Sequence, residues 1–220
     1  MNSKITDYLV QRAGGMIKEA PEVSDNENKY FMFDDGGVEG EVGEFLYGLV
    51  RVLKPKRVLT TGIYTGISDM YIGQGLVDNG FGASTALEVD MHHINRAREL
   101  WKKAGVSEVI TSVNGESLKF QPEGQYELMF LDSEPHLRFK ELVRFYDFIA
   151  PGGFIFIHDL HEHFSQEDNK EHGFGWPFNK LPIEIVQMFQ QDKLRAFHFP
   201  TPRGFTGMYK LTERTYHHER

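Results

Sequence analysis

The stretch RVLTTGIYTGISDMYI, Arg57 to Ile72, decides how the whole chain is read. Val58 and Leu59 open an apolar run that stops at Gly62; Gly66 and Ser68 follow, and a helix-like segment begins at once. A strand that breaks at glycine and turns directly into a helix is a common cradle for a nucleotide-like ligand. A dinucleotide fingerprint would need G-x-G-x-x-G, and a phosphate loop would end in Gly-Lys-Ser/Thr. Here the spacing is Gly62-x-x-x-Gly66 and no lysine follows, which fits a ligand without phosphate and ranks a nicotinamide-dependent oxidoreductase low. In such folds an acidic residue some 20 positions on can accept both hydroxyls of a ribose. Glu88 stands in that place, at the end of the next apolar run.

Working outward, apolar and helical segments alternate on both sides of this turn. Val42, Phe45, Leu46, Leu49, Val50 and Leu53 recur at helical steps, and Pro55 ends that helix. STALEVD, SEVITSVNG, YELMFLDSE and FIFIHD read as further strands; INRARELWKKAG, LRFKELVRFYDFIA (closed by PGG) and LPIEIVQMFQQDK read as helices. LRAFHFPTPRGFTGMYKL holds two strand-like runs around Thr201–Gly204, a hairpin. The order predicts an α/β fold with a Rossmann-like, mostly parallel sheet of seven strands, flanked by helices and ended by an antiparallel hairpin.

Bulk composition narrows the function classes. A 40% hydrophobic, 25% charged chain of 220 residues is that of one globular core. The formal net charge of -8 speaks against nucleic acid as a partner, because phosphate contacts need a clustered basic face. With no cysteine there is no disulfide, thiolate metal site or cysteine nucleophile. No apolar run approaches a membrane span, and the N-terminus lacks a signal-like apolar core, so a cytoplasmic location without a membrane partner is expected.

RVLTTGIYTGIS, ALEVD, LMFLDSE and APGGFIFIHD, in that order, resemble the successive motifs of class I S-adenosylmethionine-dependent methyltransferases. The likeness is to the small O-methyltransferases of the catechol and caffeoyl-CoA type, and it extends from EGEVGEFLYGLVRVLKP to PTPRGFTGMYKL. It implies a methyltransferase domain over residues 39–211, an N-terminal segment 1–38 that caps the acceptor pocket, and a tail 212–220. It also implies S-adenosyl-L-methionine as cofactor and a small-molecule hydroxyl as acceptor. Gly62, Tyr64, Gly66 and Ser68 would let backbone approach the cofactor, Glu88 would accept the ribose hydroxyls, and Gly115, Glu116 and Ser117 would edge the adenine. The family usually places a glutamate two residues before its first glycine, whereas this chain has Thr60, with Thr61 beside it. Asp34, Asp35, Glu39 and Glu41 are candidates for a compensating acid. A non-catalytic cofactor-binding or interaction domain is the reading that this substitution favours.

In the resembled subfamily a divalent cation binds the acceptor's oxygens and lowers their pKa. The corresponding strand-end carboxylates are Asp132 and Asp159, with Asp132 also a candidate for direct cofactor contact. Carboxylate ligands suit Mg²⁺ or Mn²⁺. Leu160 stands where relatives usually carry a further ligand, so a third must come from elsewhere, and HDLHEH offers His158, His161, Glu162 and His163. His161 is the first choice, as metal ligand or as general base in a metal-independent alternative. The glycine-flanked aromatics Phe174, Trp176 and Phe178 serve equally as a lid or as the contact of a homo-oligomer.

Overall fold

The computed structural model describes residues 4–18, 20, 30–33, 37–160, 183–199, 201 and 203–211. After helix α1 (Lys4–Ala13) and helix α2 (Gly40–Leu53), strands and helices alternate except between β3 and β4: β1 (Arg57–Thr61), α3 (Ile67–Asn79), β2 (Ala83–Glu88), α4 (Met91–Ala104), β3 (Ile110–Asn114), β4 (Tyr126–Leu131), α5 (Pro135–Phe145) and β5 (Ile149–His158). Helix α6 (Ile183–Gln190) precedes the hairpin β6 (Leu194–Phe199) and β7 (Phe205–Lys210). The seven strands lie in the order β3-β2-β1-β4-β5-β7-β6, the first five parallel and β7 antiparallel to both β5 and β6. The expected architecture is therefore the one found.

Period-two alternation along β1 sorts its side chains between two layers. Val58 packs into a core shared with α1, α2, α3 and α4, while Leu59 packs into one built from α5, α6 and the opposite sheet face. Burial on both sides explains the apolar runs of β4 and β5. Leu9, Ala13 and Ile17 are buried in the first of these cores, so α1 belongs to the body of the domain.

The buried face of α4 carries Ile94, Ala97, Leu100, Trp101 and Ala104, while Arg98 bonds Ser112 at 2.8 Å. One local reading is corrected: PGG does not close α5. Phe145 already ends the helix, and Pro151–Gly153 lies inside β5, where the pairing register jumps from Tyr126↔Ile149 to Leu128↔Phe154. Pro151 has no N–H to give and Gly152 takes φ 77°, so a bulge forms there.

Strand order reverses between β1's neighbours β2 and β4, which opens a crevice at their carboxyl ends. Gly62 makes this geometry feasible. It has φ 79°, and a Cβ there would lie 2.2 Å from the Asp132 carbonyl oxygen. Gly66 has φ 79° as well, and a Cβ would meet Ala97 Cβ at 2.6 Å. Trp101 Nε1 donates to the Gly66 carbonyl at 2.8 Å, clamping α4 to the turn. Gly66→Ala combines left-handed strain with overpacking and is expected to destabilise the fold by about 2–4 kcal/mol. Urea unfolding of the variant beside the parent chain measures this.

Candidate active site

A cleft of about 550 Å³ opens at the carboxyl ends of the central strands, within the range of small-molecule sites. Its wall is formed by Gly62 and Tyr64 from the first turn, Leu87–Asp90 at the end of β2 with His93 of α4, Gly115–Leu118 after β3, Asp132–Pro135 with Leu137 and Arg138, and lastly Asp159 and Arg203. Of the residues singled out in the sequence, it brings together Gly62, Tyr64, Glu88, Gly115, Glu116, Ser117, Asp132 and Asp159.

Glu88 is held in place by backbone. Its Oε2 accepts from Tyr64 N–H at 3.1 Å, and its Oε1 accepts from Val89 and Asp90 N–H at 2.8 and 3.0 Å. Tyr64 has φ 46° and sets its ring edge-on to His93 at 5.1 Å between centroids. The Gly115 N–H donates to the Glu88 carbonyl at 2.9 Å, and Asn114 Nδ2 donates to the Glu88 and Val89 carbonyls. The ends of β2 and β3 are thus stitched into one rigid rim. Glu116 pairs with Lys119 at 2.6 Å on the exposed side, while Ser117 is buried.

Thr60, Thr61, Gly66 and Ser68 do not line the cleft. Alternation sends the Thr60 hydroxyl under α3, where it donates to Asp69 Oδ1 at 2.6 Å. It sends the Thr61 hydroxyl under α5, where it donates to Glu141 Oε2 at 3.0 Å. A carboxylate therefore does stand behind the glycine turn, supplied by Asp69 and by none of the acids considered from sequence. Glu41 accepts instead from Phe31 N–H, Glu39 faces elsewhere, and Asp34 and Asp35 lie outside the described residues. Asp69 is fully buried with Oδ2 unbonded, and burial, against the Thr60 hydrogen bond, pushes its pKa up to about 7.

Asp132 and Asp159 converge just beyond β4 and β5, as strand-end geometry predicts. What surrounds them was not foreseen. Arg138 of α5, 3% exposed, places Nη2 at 3.0 Å from Asp132 Oδ1 and 2.9 Å from Asp159 Oδ2. Its Nε and Nη1 donate to the Ser133 and His158 carbonyls at 2.7 and 2.6 Å. Arg203, in the β6–β7 loop, donates through Nη2 to Asp159 Oδ2 at 2.9 Å and sets Nε 2.6 Å from Asp159 Oδ1, an ion pair rather than an aligned hydrogen bond. His158 is wholly buried, with Nδ1 3.3 and 3.2 Å from the Asp132 and Asp159 Oδ1 atoms and Nε2 2.6 Å from Glu39 Oε2. Burial opposes its charge, but Asp159, Asp132 and Glu39 outweigh that and raise its pKa to about 10. The same imidazolium and the two guanidinium groups hold the Asp159 carboxyl far below its usual range despite burial. Leu160 is buried in the apolar layer beneath, and His161 lies outside the described residues, as do Phe174, Trp176 and Phe178.

Arg138 could have been found from its helix. It shares a face with Phe139, Leu142 and Phe145, so a charged residue in that stripe signals a buried partner. Arg203 carries no comparable local signal.

Comparison with known proteins agrees with this geometry. The sequence model of the O-methyltransferase family matches residues 22–169. The caffeoyl-CoA O-methyltransferase of Stellaria longipes is 26% identical over 148 residues, covering 61% of this chain and 59% of that protein. Among solved structures, the SAH-bound methyltransferase of Podospora anserina superposes with a TM-score of 0.68 at 18% identity, covering 94% of this chain and 88% of that one. The O-methyltransferase from Bacillus cereus in complex with SAH gives 0.63 at 16%, covering 96% and 91%. At those identities the structural likeness is one of fold. The chain belongs to the O-methyltransferase family.

Asp69 offers a test of the buried acid behind the turn. Its folded-state pKa is raised, so its stabilising contribution is complete below the unfolded value near 3.9 and is lost as pH rises through about 7. Asp69→Asn is isosteric and does not ionise. Between pH 5 and pH 8, the stability of Asp69→Asn relative to the parent is expected to rise by roughly 2–4 kcal/mol. Urea midpoints at the two pH values read it directly, and a pH-independent difference would contradict it.

Proposed function

We propose that the protein transfers the methyl group of S-adenosyl-L-methionine to a hydroxyl of a small molecule. The observation that carries this reading is Glu88, fixed by three backbone N–H groups on the cleft rim, opposite the Gly115–Ser117 turn. A carboxylate so oriented accepts two vicinal hydroxyls of a ribose, and the backbone around Gly115 approaches a purine without steric bulk. Family membership and the absence of a phosphate-binding lysine support the same cofactor. With Asp69 standing behind Thr60, the substitution that favoured a non-catalytic domain loses its weight.

When bound, the cofactor supplies an electrophilic methyl on a positively charged sulfur, which keeps the electron pair and leaves as a neutral thioether. The chain's part is to hold the acceptor oxygen in line with that methyl and to receive or stabilise what the hydroxyl gives up. Asp132, with Asp159 and Arg203 beside it, forms the cleft wall assigned to the acceptor. His158 does not serve as a base there: with its pKa raised to about 10 and both ring nitrogens on carboxylates, it keeps its proton. Proton acceptance falls to a cleft carboxylate, for which Asp132 is the candidate.

The donor set does not suit a resident divalent cation. The ligand atoms of Asp132, His158 and Asp159 lie within 4.8 Å of one another, but all of them already face guanidinium or carboxylate partners. No step is therefore assigned to a metal.

Calorimetric titration with S-adenosylhomocysteine tests the cofactor site. Micromolar binding is expected, weakened by about 10- to 100-fold in Glu88→Ala, the equivalent of about 1.4–2.8 kcal/mol. No heat at millimolar ligand would remove the methyl-transfer reading.

A further inference from the structure

We propose that Arg138 and Arg203 stand in the place of a divalent cation at the Asp132–Asp159 pair, so that the site carries its own fixed positive charge and takes up no metal ion. The inference rests on the reading of the cleft as a methyl-transfer site and goes further, by naming what neutralises its acids.

Two carboxylates brought together out of water need a cation between them. Arg138 Nη2 occupies that bridging place, within 3.0 Å of an oxygen from each. Arg203 takes the far side of Asp159 through two nitrogens. The charges close: Asp132, Asp159 and Glu39 are matched by Arg138, Arg203 and the doubly hydrogen-bonded His158. A dication added to this set would leave two positive charges uncompensated in a largely buried site.

Neither guanidinium can make room by losing a proton, because arginine stays charged in proteins. Arg138 cannot swing away without stranding the Ser133 and His158 carbonyls that it also bonds. Arg203 is anchored behind by the Gly37 carbonyl through Nη1, and its own N–H donates to Glu39 Oε1 at 3.1 Å. Leu160, directly after Asp159, is buried in an apolar cluster and offers no ligand atom. Arg138 and Arg203 both line the cleft, so an acceptor oxygen there meets a fixed guanidinium charge.

The test is a titration of Mn²⁺ into the full chain after chelation with EDTA, followed by the electron paramagnetic resonance signal of the free ion. Wild-type protein is expected to leave the signal undiminished up to about 1 mM Mn²⁺, with or without S-adenosylhomocysteine. Its affinity for S-adenosylhomocysteine should shift less than about twofold on chelation. Arg203→Ala uncovers Asp159 and is expected to bind Mn²⁺ at least about tenfold more tightly than the parent, a gain lost again when Asp159→Asn is added. Arg203→Lys, which keeps the charge, should behave as wild type. One equivalent of Mn²⁺ bound by wild type at micromolar concentration and lost in Asp159→Asn overturns the proposal. So does a folded Arg203→Ala that gains nothing. If Arg203→Ala does not fold, the wild-type titration decides. Failure of S-adenosylhomocysteine to bind counts against the methyl-transfer reading alone, since the Mn²⁺ titration does not depend on it.

Discussion

A lattice of alternating charges at the ends of β4 and β5 is the constraint on which the site depends. Six ionised side chains, from the residue capping α2, from α5, the strand ends and the β6–β7 loop, are taken largely out of water together. Each alone would cost several kcal/mol to bury, and only mutual pairing offsets that. Arg138 is the common member, touching both aspartates and two backbone carbonyls at once. Helix α5 therefore cannot slide along the sheet without breaking the lattice, and the cleft wall inherits its rigidity.

The opposite wall owes its shape to backbone. Gly62 lets β1 and β4 approach closely enough that Asp132 N–H reaches the Thr61 carbonyl at 3.0 Å. Glu88 then ties the first turn to the end of β2. One side of the cleft is thus set by backbone hydrogen bonds to a single carboxylate, the other by ion pairs. That division matches a ligand with a polar, uncharged sugar at one end and a reacting, charge-changing centre at the other.

Much of this was legible in the sequence, and the limits have physical causes. The β1 turn, Glu88 and the two aspartates could be read because strand ends of a parallel sheet meet on one edge whatever their separation along the chain. Thr60 and Thr61 stand beside Gly62 in the sequence, yet the alternation along β1 buries one hydroxyl under each helix layer. Asp69 was missed for the same reason: its partner is set by the facing of α3 on β1, which spacing alone does not reveal. PGG read as a helix stop because glycine and proline punctuate both helices and bulged strands, and only the register of β4 against β5 separates the two. Arg203 left no local trace, since its partners among the described residues come from distant segments.

The joining of Arg203 to Glu39 has a consequence for the order in which the molecule assembles. The contact spans 164 positions along the chain, about three quarters of its length. Such a closure carries a large entropic cost and comes late, after the parallel core has formed from nearer neighbours. During synthesis, β1, β4 and α5 emerge well before the hairpin that carries Arg203. Until it docks, Asp159 lacks one of its cations and Glu39 one backbone donor, and both must stay hydrated. The chemically competent form of the cleft is thus a product of the last step of folding, and the C-terminal hairpin acts as its closing clasp.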